Sequence, residues 1–189
     1  MEIAAETPAA MDSGAQLLDD FDAVVSAHWP GVFRFALVSL RDADLAATVA
    51  QDCFWKAWRS RGRFRGEASV RTWLMQIAVN LVRSHLTSSR LKFWRRAQRT
   101  SVDLTAAQEW LADPQLSPEA LALAKQRVSA VWDAVGRLSP RQQTVFLLRF
   151  VEEMELLEIA AATGMKEGTV KAHLFRALEA VRTRIEARK

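Results

Sequence analysis

A chain of 189 residues, half of them hydrophobic, is long enough to bury one ordinary core or two small ones and too apolar to be disordered. Its net charge of +4 is segregated: residues 1–30 carry six acids and no Lys or Arg, 31–99 fourteen bases and four acids, 100–135 two bases and five acids, and 136–189 ten bases and seven acids. One cysteine, Cys53, excludes an internal disulfide, three scattered histidines make no metal-ligand set, and no phosphate-cradling loop, GxSxG elbow or HExxH motif points to catalysis.

Residues 1–16 are Ala-rich and without periodicity, and read as a loose tail. Helical patterning runs from about 17 to 40, from 42 to 61 and from 69 to about 90, with "RGRFRGEAS" as a loop before the third run. Residues 100–117 form a linker. Ser117-Pro118 then starts a helix to about Val135, closed by Gly136. "SPRQ" at 139–142 has the spacing of a capping box and opens a helix to about Phe150; two more follow at roughly 154–162 and 167–186. No run alternates with period two, so the expected fold is all-α: two helical domains, 17–99 and 118–189, joined by the linker.

No stretch approaches the roughly 20 consecutive apolar residues that span a bilayer, and the opening lacks the cationic start of a secretory signal, so a cytoplasmic protein is expected. Two basic blocks around an acidic one suit two contacts with a polyanion, although a basic block is equally a solvated face. On the second helix Ala46, Ala50, Cys53, Phe54 and Ala57 make the apolar stripe, and Trp55 stands opposite with Gln51, Asp52 and Arg59. That tryptophan is either an interface anchor or a ring covered by the first helix. On the third helix Val70, Leu74, Ile77 and Leu81 face the core, while Thr72, Gln76, Asn80 and Arg83 line another face with Trp73 at its boundary. Beside a loop carrying Arg63, Phe64 and Arg65, this face suits single-stranded nucleic acid, a flipped base, or only water.

"ELLEIAAATGMKEGTVKAHLFRAL" has the spacing of a helix-turn-helix: Ile159 and Ala160 face inward, Gly164 supplies the turn, and the second helix docks through Val170, Leu174, Leu178, Val181 and Ile185. Phe175 then points outward between cations. It either packs on another element or meets thymine methyls in a major groove, with Lys171 and Arg176 reaching base acceptors or phosphates and Arg141 and Arg149 as further phosphate contacts.

These two segments resemble a known family. "LSPRQQTVFLLRFVEEMELLEIAAATGMKEGTVKAHLFRAL" is similar to region 4 of the extracytoplasmic-function (ECF) sigma factors, and "AQDCFWKAWRSRGRFRGEASVRTWLMQIAVN" to their region 2. The resemblance implies a promoter-specificity subunit that is not an enzyme and uses no cofactor or small-molecule substrate. It implies partners: core RNA polymerase, gripped at its clamp by Gln51, Asp52, Trp55 and Arg59; promoter DNA; and an anti-sigma factor. The minus-ten element would be read as a single strand by Arg63, Phe64, Arg65, Thr72, Trp73, Gln76, Asn80 and Arg83. The minus-thirty-five element would be read as duplex by Lys171, Ala172, Phe175 and Arg176 with Arg141 and Arg149. The chain departs from the family pattern in having Ala47 and Thr48 before the Gln-acid pair, and Ser84 and Thr87 where an acid and an arginine are usual. The alternative from the residues alone is a stand-alone helix-turn-helix regulator of duplex DNA.

Overall fold

The computed structural model describes residues 18–87 and 118–187, with side chains from 126 onward in the second segment. The expected tail, the linker and the Ser117 cap lie outside the described residues. Among the described residues there are seven α-helices and no strand: α1 (Phe21–Leu40), α2 (Ala43–Ser60), α3 (Val70–Thr87), α4 (Pro118–Val135), α5 (Pro140–Phe150), α6 (Leu156–Thr163) and α7 (Glu167–Glu186). A 3-10 turn, Arg61–Arg63, follows α2.

Local chemistry explains most boundaries. Asp20 caps α1 by accepting from the Ala23 amide at 3.0 Å, and Asp42 caps α2 by accepting from Leu45 at 2.9 Å. Between them Arg41 takes a left-handed conformation, φ 57°, and its amide closes α1 on the Leu37 carbonyl at 2.8 Å. The capping box at Ser139 and Gln142 forms as its spacing predicts. Pro30 sits inside α1, where it removes one backbone donor, yet the helix continues through it.

By length and composition alone α1 could cross a membrane. Its apolar residues are instead core: Val32, Phe35, Ala36, Leu37 and Val38 are buried against α2 and α3. Ala46, Ala50 and Ala57 of α2 are fully buried, and their small side chains let α1 and α2 cross closely. The second domain packs α4 to α7 around Val135, Val145, Leu147, Leu148, Met154, Ile159, Val170 and Ala177. The two cores join, because α6 lies along α3 and α5 meets α1.

Polar groups cross that seam. Glu152, in the turn after α5 and only 3% exposed, accepts a hydrogen bond from Arg34 Nε of α1 at 2.9 Å and stands 3.9 Å from Arg71 Nη2 of α3. Burial pushes its carboxyl above the ordinary range, outweighing the two arginines. Thr72 donates to Glu158 at 3.2 Å.

Candidate nucleic-acid interface

α6 ends on Gly164, whose φ of 69° lies in the left-handed region that glycine adopts without strain, and its amide donates to the Ala160 carbonyl at 2.9 Å. The chain can thereby turn sharply into α7. Ile159, Ala162 and Val170 are buried where the two helices meet, while Ala160 is only half-buried. On α7 the expected stripe needs one correction: Leu178 is 44% exposed, and Ala177 is fully buried in its place. Both fit the helical period, and the smaller side chain takes the position of closest approach. Lys171, Ala172, Phe175 and Arg176 all stand outward, Phe175 at 63% exposure, so this ring does not pack on another element. Lys171 pairs with Glu167 one turn earlier at 2.7 Å, a surface contact that a stronger anion can displace.

Arg141 at the start of α5 and Arg176 of α7 both bear on His173. Partial burial is the first cause, and these two cations the next, that hold the imidazole below its ordinary value and therefore neutral. Arg141 is exposed and joins this face. Arg149 is differently employed: its Nη1 donates to the Met154 carbonyl at 2.9 Å and to Glu155 at 3.0 Å, which pins the turn leading into α6.

The first domain presents two concavities. One, of about 460 Å³, is lined by Trp55, Lys56, Arg59, Ser60, Ile77 and Asn80. Trp55 is 56% exposed, with the Arg59 guanidinium 4.7 Å above its ring, so the tryptophan is not covered by α1. The neighbour that α1 does touch is Trp58, 5.1 Å from Phe21 and stacked under Arg61 at 3.5 Å; the sequence reading did not single it out. Gln51 is exposed on this helix and Asp52 half-buried.

The second concavity, about 390 Å³, gathers Arg63, Phe64, Arg65, Thr72, Trp73 and Gln76, with Ala161 of α6 at its rim. Phe64 is itself buried, its ring 4.9 Å from Trp73, so it shapes the wall. Thr72 lies under α6, bonded to Ser69 and Glu158. The expected polar line therefore divides: Gln76 and Thr72 belong to this cavity, whereas Asn80 lines the Trp55 concavity and accepts from Arg83 Nη2 at 2.7 Å. Glu152, Arg34 and Arg71 went unnoticed in the sequence, and no local pattern could reveal them, since Arg34 and Glu152 are 118 positions apart. Among the described residues no cluster of His, Cys, Asp or Glu could hold a metal ion.

The chain is similar to known proteins over both domains. Residues 24–100 match the family described as Sigma-70 region 2, and residues 129–181 match Sigma-70, region 4. The chain is 31% identical over 165 residues to the RNA polymerase sigma-H factor of Pseudomonas aeruginosa, covering 85% of this chain and 83% of that one. It is 30% identical over 142 residues to the ECF RNA polymerase sigma-E factor of Escherichia coli, covering 73% and 72%. Its fold is similar to that of CnrH in complex with the cytosolic domain of CnrY (TM-score 0.64, 21% identity, 96% and 100% covered). It is also similar to that of the Bartonella quintana sigma factor RpoE in complex with the anti-sigma factor NepR (TM-score 0.60, 20% identity, 90% and 99% covered).

Proposed function

The chain belongs to the sigma-70 family, in its ECF branch, and on that premise we propose how its surfaces divide the work of directing core RNA polymerase to promoter DNA. Residues 17–99 act as the domain that binds the polymerase clamp and the minus-ten element, 118–189 as the domain that binds the minus-thirty-five element, and 100–117 as the connection. The protein works in the cytoplasm, initiates transcription without catalysis of its own, and is held in check by an anti-sigma factor.

One observation carries this reading: aromatic rings framed by cations are presented outward on both domains, Trp55 under Arg59 on α2 and Phe175 beside Lys171 and Arg176 on α7. Apolar area of that size left in water favours a partner, and Trp and Arg together are the usual energetic centre of a protein interface. On α2 the partner is the clamp, with Gln51 and Asp52 completing the contact. On α7 the partner is duplex DNA: Lys171 and Arg176 reach guanine acceptors or phosphates, Phe175 and Ala172 meet apolar base edges, and Arg141 positions the backbone. Arg149 serves chiefly by fixing the turn before α6. Between them, the cavity of Arg63, Phe64, Arg65, Trp73 and Gln76 traps unstacked bases, with Thr72, Asn80 and Arg83 supporting its walls and flank.

In vitro transcription with purified core polymerase on a genomic promoter library tests the division. Wild type is expected to give specific starts. Trp55→Ala is expected to weaken polymerase binding by about 2 kcal/mol, roughly thirtyfold, without loss of folding. Arg176→Ala should retain polymerase binding and lose promoter selection. Failure of the wild type to support any start, together with tight duplex binding alone, would return the stand-alone regulator.

A further inference from the structure

On the reading of α7 as the duplex-binding helix, we propose that His173 joins Arg141 in holding a backbone phosphate at the edge of that face, and that the pair takes up a proton as it takes up DNA.

His173 stands on a border. At about 100° per residue it lies roughly 60° around the helix from exposed Arg176 and roughly 40° from buried Ala177, and its side chain is accordingly half-buried. The ring rests with Nδ1 enclosed and without a hydrogen-bond partner. A buried polar atom left unpaired costs free energy, so packing alone holds this pose, and a turn about the side-chain bonds is favoured once an acceptor arrives. The arginines beside it are equally unoccupied. Neither Arg141 nor Arg176 makes an ion pair or a side-chain hydrogen bond among the described residues, whereas Lys171 is tied to Glu167 and Arg149 to Glu155.

The charge around the ring is of one sign. Of the helices packed on α7, α5 brings Arg141 to bear on the imidazole and α7 itself brings Arg176, while α4 and α6 bring no such charge among the described residues. Three basic groups thus meet with no carboxylate between them, and an anion completes the set. A backbone phosphate fits, since its two free oxygens accept from guanidinium and imidazolium alike. Arg176, on the inner side of the pair, stays directed at the base edges.

Burial first and the two arginines second hold the free imidazole below its ordinary 6.5, and so uncharged near neutrality. A phosphate beside the ring offsets that repulsion and favours the charged form, so the bound imidazole titrates higher than the free one. Affinity for duplex therefore rises as pH falls through the bound value and levels off below the free one, with a slope that one proton limits to about tenfold per pH unit.

The test uses the full chain and a duplex that it selects from a randomised pool of short duplexes. Competition binding from about pH 8 to about 5.5 is expected to show affinity rising about tenfold on acidification. His173→Gln should match wild type at the alkaline end and lose the rise. His173→Arg, permanently charged, should bind at the acidic wild-type level throughout. Ring resonances of His173, identified by their loss in His173→Gln, should titrate below 6.5 in the free chain and higher with duplex bound. A rise that survives in His173→Gln would overturn the proton-linked contact and leave the α7 reading standing. So would a His173 titration that stays in place while duplex shifts the Lys171 and Arg176 amide resonances. No selected duplex, or one that binds without shifting those amides, would sink the α7 reading and the contact with it.

Discussion

The two faces proposed to meet nucleic acid are built in opposite ways. The α7 face comes from Lys171, Ala172, Phe175 and Arg176 on the outer side of one helix, with Arg141 of α5 beside it in the same domain. The first-domain cavity is composite: a 3-10 turn, a loop, two turns of α3, and a rim residue from α6 of the other domain. A face carried within one domain keeps its geometry through any rigid movement of that domain, whereas a face shared between domains changes whenever one of them moves. On the proposed assignment, duplex would meet a pre-formed face and a separated strand a conditional one.

Measurements of decreasing size can break or sharpen that contrast. The largest concerns the cores that hold each face. Leu74→Ala in the first domain, where the side chain is fully buried, should cost about 2–5 kcal/mol and lower the melting temperature, while the helix-turn-helix still binds duplex at permissive temperature. Loss of duplex binding with native α7 exchange would show that the two faces are not independent. Next in size, Arg176→Ala should cost about 1–3 kcal/mol of discrimination between specific and scrambled duplex, read by competition binding, with no effect on single-strand binding. Ser139→Ala removes one half of the capping box and should cost about 1 kcal/mol, confined to the second domain in amide exchange. The smallest effect is a pH slope. Burial first, and Arg71 second, hold His28 below its ordinary 6.5, so the folded chain resists a proton that the unfolded chain accepts. The contribution is complete above 6.5 and lost as pH falls through the lowered value. Raised Glu152 acts with the opposite sign, favouring the folded state on acidification. His28→Gln should therefore flatten or reverse the thermal-denaturation slope between pH 7 and 5; an unaltered slope would remove His28 from the account.

What was legible in the sequence follows the same division. All seven helices could be placed because each has an amphipathic stripe and most have a cap or breaker at an end, such as Asp42, Gly136, Ser139 and Gly164. Trp55 and Phe175 could be seen as exposed because helical period alone points them away from their stripes. Period could not choose between Ala177 and Leu178, which differ by one step of 100° and are decided by how closely α5 approaches α7. Nor could it separate Gln76 from Asn80, since the two share a polar stripe and divide only because the α2 concavity lies on one flank and α6 on the other. The Glu152 contacts join residues far apart in the chain, and a lone glutamate after a helix carries no sign that it will be buried.

Cys53 lies fully buried, donates weakly to the Leu74 carbonyl at 3.4 Å, and is pushed by burial to about 12. At neutral pH its thiolate is therefore vanishingly scarce and out of reach of electrophiles. In the folded state the one sulfhydryl is a poor receiver of oxidants and alkylating agents. The same burial makes the folded chain a quiet background, in which one cysteine introduced on an exposed face should react with a maleimide dye far faster than Cys53.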